Sequence, residues 1–274
     1  PKQLGKLISL RHLNLEHNSI HVLPDTIGNL IQLEELLLSR NQLKNLGKTF
    51  NNLSSLRHLD LSNNDLISLP EDFSNFRNLQ YFNIGCNHIE HVPERIGKLR
   101  SLKIFTADYN QITKLPDTLG NLNLLDQLDL EGNFLESLPA SIGNLTNLIK
   151  LNISENKIRE LPKEINQLTN LSYFNAQWNR IKLLPLDLGN LKNLSNLNLT
   201  HNQIRELPAS IGKLKHLKSL NMTWNNLTLL PPSIGSLENL EVLVIYENRL
   251  HTLPESIGSL KKLKYLNLWG NNLK

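Results

Sequence analysis

The chain has 274 residues, 39% of them hydrophobic, and a formal net charge of +4. It holds no run approaching the roughly 18 apolar residues of a membrane-spanning helix, and its single cysteine, Cys86, leaves no internal disulfide. A lone thiol fits a reducing compartment or a bacterial source, and a mild basic balance without one concentrated patch argues against nucleic acid.

The chain repeats itself. Asparagine stands at Asn18, Asn41, Asn64, Asn87, Asn110, Asn133, Asn156, Asn179, Asn202, Asn225, Asn248 and Asn271, each 23 residues after the last. The surrounding frame reads L-x-x-L-x-L-x-x-N-x-L, as in Leu125, Leu128, Leu130, Asn133 and Leu135. Downstream follows L-P-x-x-I-G-x-L, as in Leu138, Pro139, Ile142, Gly143 and Leu145. Positions are counted here from the first Leu, so the recurrent Asn is position 9. A period of this length marks stacked units, none of which can bury its apolar side alone.

Each frame predicts the same elements in the same order. The L-x-L core alternates inward and outward, so it forms a short strand. Successive strands are expected to stack in parallel along a concave face. The second half returns along the convex side, where Pro forbids a continuing strand and Gly permits a tight bend. The position-9 Asn is expected to point inward, its amide satisfying turn backbone groups that the stack would bury unpaired. The predicted fold class is an α/β solenoid: a horseshoe with a parallel β-sheet on the concave face and irregular, 3-10 or short helical segments on the convex face. One array of about twelve frames spans 1–274. Pro1 matches the Pro of the L-P step and Lys274 follows Leu273 of the last frame, so both ends are expected to lie within a repeat.

Local departures come next along the chain. Residues 46–53 lack both the Pro and the Ile-Gly, and Ser74 and Asn166 stand in place of the Gly. These read as variants of the convex turn. Where the second core position is Phe105 or Phe174, the third is Ala107 or Ala176, a trade of volume that close packing requires.

The variable positions 3, 5, 7 and 8 face the concave side or its rim. All three Trp fall at position 7 or 8 and all five Tyr at position 3, 7 or 8. Six of the seven Phe take positions expected to pack in the core or convex turn, Phe134 being the exception. Repeats eight to twelve carry Tyr173, Trp178, Trp224, Tyr246, Tyr265 and Trp269, with Val242 and Val244 beside them. Five rungs span roughly 20 Å, enough for a helix or loop of a partner, and Tyr and Trp are common interface anchors. The competing reading is that the aromatics pack along the column and stiffen the sheet. Asp108, Asp129, Glu131 and Glu155 mark either a second, acidic subsite for a basic segment or a solvated polar face. Basic clusters at Lys98, Arg100 and Lys103, at Lys213, Lys215 and Lys218, and at Lys261, Lys262 and Lys264 read as a solubilising rim. A contact with phosphates or an anionic membrane is the lesser reading. The position-5 column, Asn14, Asn83, Asn152, Asn175, Asn198, Asn221 and Asn267, is expected to form a ladder of amides bonded from rung to rung.

Catalytic signatures are missing from the sequence. It has no phosphate-binding G-x-x-x-x-G-K-[ST] loop, zincin motif or G-x-S-x-G elbow. His88 and His91 lack a clear third ligand, and Cys86 has no frame-compatible His, so no metal, cofactor or catalytic residue is expected.

The L-P-x-x-I-G-x-L half with its 23-residue period resembles the typical class of leucine-rich repeats. It is most similar to the intracellular Ras-group repeats of Ras-pathway scaffolds, Scribble-type polarity proteins and related plant proteins, and to spirochaete and other bacterial members and Roco-type GTPases. The resemblance covers the whole chain and implies a leucine-rich-repeat horseshoe acting as a protein-interaction module rather than an enzyme. By the same analogy the partner is a protein, such as a small GTPase or another signalling protein, in the cytoplasm. The alternatives are a surface or secreted bacterial receptor or adhesin for a host protein or glycan, and the regulatory arm of a larger GTPase or kinase. The matching residues belong to core and turn, so they name no partner.

Overall fold

The computed structural model describes residues 2–72 and 74–274. These fall into two compact units, 1–134 and 135–274, and each is built from the same rung.

In the first unit the strands are β1 (His12–Asn14), β2 (Glu35–Leu37), β3 (His58–Asp60), β4 (Tyr81–Asn83), β5 (Ile104–Thr106) and β6 (Gln127–Asp129). Each pairs in parallel with the next, and the register joins residues 23 apart, such as Leu59 to Phe82 and Phe82 to Phe105. In the second unit the strands are β7 (Lys150–Asn152), β8 (Tyr173–Asn175), β9 (Asn196–Asn198), β10 (Ser219–Asn221), β11 (Val242–Val244) and β12 (Tyr265–Asn267). They pair in the same order and sense. The middle residue of the three-residue strand points into the core and its neighbours point out, so Leu197 and Leu220 are buried while Asn198 and Ser219 are partly exposed.

The return half of the rung is a short 3-10 segment, such as Ala140–Asn144 or Ala209–Lys213. Pro139 starts one at φ −68°, the value its ring imposes. Three successive tight bonds follow: Ile142 N–H donates to the Pro139 carbonyl at 3.0 Å, Leu145 to Ile142 at 3.1 Å, and Leu148 to Leu145 at 2.9 Å. Ile142, Leu145 and Leu148 are carried inward and fully buried. A parallel sheet on one side, 3-10 turns on the other and a leucine core between them make each unit a leucine-rich-repeat solenoid, as the period predicts.

The glycine after this isoleucine has a different role from the expected one. Gly143 and Gly212 do not lie in the left-handed region, so they are not there to relieve a bend. A Cβ on Gly143 would meet the Glu164 carbonyl oxygen at 2.6 Å, and one on Gly212 would meet the Ser233 carbonyl oxygen at 2.5 Å. Glycine lets consecutive rungs close up on the turn side. In the divergent stretch 46–53 a shorter segment, Phe50–Asn52, replaces the usual one. Phe50 fills the core place that Ile takes elsewhere, edge-on to Phe76 with ring centroids 5.8 Å apart.

The position-9 asparagines behave as the sequence requires. The Asn202 side-chain amide donates to the carbonyls of Ala176, Leu199 and Thr200 at 2.9, 3.1 and 3.3 Å, and its oxygen accepts the Ile181 N–H at 2.9 Å. The same pattern recurs at Asn64 and Asn225. The position-5 amides meet the expectation only in part: Asn83 donates to Asp60 one rung back at 3.2 Å and Asn198 to Gln177 at 2.9 Å, but a local bond recurs more often. Their oxygens accept the backbone N–H two residues on, as Asn198 does from Thr200 at 3.2 Å and Asn221 from Thr223 at 3.1 Å. This local bond closes the turn after the strands that end in Asn, the same competition for backbone that short amide side chains offer elsewhere.

Candidate binding face

After each strand the chain passes through the left-handed region at position 8. His17, Arg40, Asn63, Cys86, Tyr109, Glu155, Trp178, His201, Trp224 and Glu247 have φ between 46° and 54°, and Gly132 and Gly270 have 64° and 69°. This conformation costs an ordinary L-residue about 1–2 kcal/mol. The fold holds it by pairing the backbone to the next rung: Trp178 N–H donates to the Thr200 carbonyl at 2.9 Å and Trp224 N–H to the Tyr246 carbonyl at 3.1 Å. Position 8 also sets a direction. The Tyr109 ring lies 2.6 Å from where a Cβ on Gly132 would be, and the Glu247 carboxyl carbon lies 2.9 Å from the same point on Gly270. Position-8 side chains therefore lean toward the next rung.

In the second unit this lean builds a stack. Trp178 and His201 lie face to face with ring centroids 3.6 Å apart and planes 11° apart. His201 and Trp224 are 5.3 Å and 8° apart. Trp178 and Trp224 remain 52% and 46% exposed, so the stack stands proud of the rung. Burial between the indoles pulls the His201 pKa below the ordinary imidazole value, because desolvation disfavours the cation. A groove of about 430 Å³ runs beside the rings, edged by Arg180, Gln203 and Asn226.

A second cluster lies on the last two rungs. Val242 on β11 is in register with Tyr265 on β12, and Val244 with Asn267. Tyr246 and Trp269 meet at 6.3 Å with a 57° tilt. Tyr265 and Trp269 are exposed, while Val242, Val244 and Tyr246 are half-buried. The Trp224 to Tyr246 backbone bond joins this cluster to the stack. Tyr173 stands on β8 at position 3, in register with Lys150 and Asn196. His201 was passed over in the sequence, although its 23-residue spacing from both Trp178 and Trp224 was the signal that places it between them. Phe50, Phe76, Phe82, Phe105 and Phe174 are buried and Phe134 is 43% exposed, while Phe73 lies outside the described residues.

The four acidic positions divide between the units: Asp108, Asp129 and Glu131 in the first, Glu155 in the second. Burial pushes the Asp108 pKa above the ordinary carboxylate value, and the charges of Asp129, Glu131 and Asp60 push the same way. Folding therefore favours the protonated acid. The stability this contributes is present below the unfolded pKa and lost as pH rises through the folded one. Asp108→Asn is expected to raise the thermal midpoint at pH 7 and to leave it unchanged near pH 3. The same change at both pH values would show that ionising Asp108 costs the folded chain nothing, by burial or by repulsion.

Basic residues on the lateral edge are partly neutralised from rung to rung. Lys215 donates to Glu238 at 2.7 Å and Lys264 to Glu241 at 2.6 Å, which favours the rim reading. Cys86 is exposed, and burial followed by the Asp108 charge raises its thiol pKa, the reverse of an activated nucleophile. Among the described residues no three His, Cys, Asp or Glu side chains converge as a metal site, and no helix is long and apolar enough to cross a membrane.

The sequence matches the family described as a leucine-rich repeat region over residues 47–132, 102–179 and 210–273. The chain belongs to the leucine-rich-repeat family. Single leucine-rich repeats also match at 9–30 and 193–214. Comparison with curated protein sequences finds no match. Among solved structures, a leucine-rich-repeat protein of Leptospira interrogans is 37% identical with a TM-score of 0.91, covering all of this chain and 70% of its own. A TDR receptor is 33% identical with a TM-score of 0.88, covering 98% of this chain and 49% of its own. The ectodomain of the Arabidopsis receptor kinase HAESA, solved with an N-terminally extended IDA peptide hormone, is 28% identical with a TM-score of 0.79. It covers all of this leucine-rich-repeat chain, which spans 52% of that ectodomain.

Proposed function

We propose that this chain is a recognition module that binds a protein or peptide on the aromatic face of repeats eight to twelve. The observation that carries the reading is the exposed Trp178–His201–Trp224 stack, flanked by the Val242, Val244, Tyr246, Tyr265 and Trp269 cluster. Large aromatic rings held at a backbone angle that disfavours them suit a surface kept for contact. The peptide hormone in the HAESA structure supports a peptide as one class of partner. The likeness of the 23-residue frame to Ras-group repeats supports a signalling protein, such as a small GTPase, in a cytoplasmic scaffold. One array over 1–274 would serve either role. The acidic Asp108, Asp129 and Glu131 group is a proposed secondary contact for a basic segment.

The test is the Trp178→Ala, Trp224→Ala double variant, assayed against peptides selected from a random display library on the wild-type chain. Each central anchor is worth 2 kcal/mol or more at an interface, so affinity should fall at least about 100-fold with the circular dichroism spectrum unchanged. If the rings only stiffen the sheet, the thermal midpoint falls and affinity for the selected peptides does not.

A further inference from the structure

The aromatic stack is not symmetrical at its two ends. In the position-8 column the residue before Trp178 is Glu155 and the residue after Trp224 is Glu247. Both are acidic, but position-8 side chains lean toward the next rung. Glu247 accordingly reaches over Gly270, away from Trp224. Glu155 stands one rung before Trp178 in the same column. An open depression of about 440 Å³ is lined by Glu155 and Trp178. One face of the Trp178 indole is covered by His201 at 3.6 Å. Its opposite face has no ring partner among the described residues. Glu155 is exposed, and among the described residues it has no ion-pair partner.

An open indole face and a free carboxylate select one chemistry. The π-face attracts a cation, the carboxylate attracts the same cation, and a planar guanidinium can stack on the ring while pairing bidentately with the acid. A neutral ligand satisfies only the ring and leaves the carboxylate uncompensated. The His201–Trp224 spacing of 5.3 Å is too close for a further group to enter between those rings, so the stack offers a cation its Trp178 end.

We infer that Glu155 and Trp178 form a seat for an arginine side chain of the bound peptide. This rests on the proposed peptide-binding reading of the aromatic face, and it names the anchor that the face selects. The remaining groove, edged by Arg180, Gln203 and Asn226, then takes the polar backbone that follows the anchor.

The probes are Ac-Gly-Arg-Gly-amide and its neutral isostere Ac-Gly-citrulline-Gly-amide, titrated while the Trp178 indole N–H is followed by NMR. The arginine peptide should shift that resonance saturably, and the citrulline peptide should bind about tenfold more weakly. Glu155→Gln should bring the arginine peptide to the citrulline level, whereas Glu247→Gln should leave it unchanged. Equal binding of the two peptides, no saturable shift, or indifference to Glu155→Gln overturns the seat. If display-selected peptides still depend on Trp178 and Trp224 while the arginine preference is absent, the anchor falls and the binding face stands. If no selected peptide depends on either tryptophan, the face itself falls.

Discussion

Asn179→Leu is expected to destabilise the second unit by roughly 2–4 kcal/mol, more than an ordinary polar-to-apolar change. The Asn179 amide donates to the Ile153, Ala176 and Gln177 carbonyls at 2.8, 3.3 and 3.2 Å, and its oxygen accepts the Ile158 N–H at 2.9 Å. Asn179 is only 8% exposed, so water cannot replace these partners. Leucine matches the volume approximately but leaves the Ile158 N–H buried without a partner, at about 1–3 kcal/mol before relaxation, and takes one donor from each carbonyl, which keep Asn156, Asn202 and the Glu155 N–H respectively. The damage also crosses rungs. Ile153 and Ile158 belong to the preceding rung, and solenoid stability is largely a sum of neighbour contacts. Urea denaturation should show the loss, and hydrogen exchange at the Ile158 amide should accelerate first. Asn221→Ala gives the comparison. That amide mainly accepts one local N–H, from Thr223 at 3.1 Å, so its removal should cost about 1 kcal/mol. If the two substitutions cost the same, the asparagine ladder is not what joins the rungs.

This contrast between two asparagine columns shows what the sequence could reveal. The 23-residue period carried strand, turn and core positions, because each is a local consequence of the frame. The position-9 amide was readable because a buried, doubly functional side chain at a turn has one sensible task. The position-5 amide was only half readable: its NH₂ group can reach the adjacent rung, as Asn83 reaches Asp60, while its oxygen takes the nearer backbone N–H two residues on. The turn glycine was misread for a related reason. A sequence shows where glycine stands but not which carbonyl approaches it, and Ser233 approaching Gly212 is a fact of rung spacing. The aromatic face was legible as a composition bias; His201 was legible only through its 23-residue spacing from Trp178 and Trp224, since a histidine by type alone does not announce a stack. The direction of that lean, on which the Glu155–Trp178 seat depends, follows from backbone angles that no frame position announces.

Phe174 and Ala176 provide the second large effect, and it tests whether the frame's volume trade is a physical coupling. Both side chains point into the core of β8, 1% and 0% exposed. In register with Phe174 are Leu151 and Leu197, whose own rungs carry Ile153 and Leu199 where this one carries Ala176. Phe174→Ala empties a place that neighbouring rungs cannot close and is expected to cost about 3–5 kcal/mol. Ala176→Leu forces extra atoms beside a full-sized ring and is expected to cost about 1–3 kcal/mol. Phe174→Leu combined with Ala176→Leu recreates the pair that Leu197 and Leu199 use one rung away. That double variant should be more stable than Ala176→Leu alone, with a coupling of at least about 1 kcal/mol in a double-mutant cycle. Additive costs would mean that the two positions fill separate spaces. A favourable coupling would mean that the rung is specified by its total volume, so that large and small residues can exchange places along the stack while the outward positions vary freely. That freedom is what allows one repeated core to present a tryptophan in one rung and a carboxylate in another.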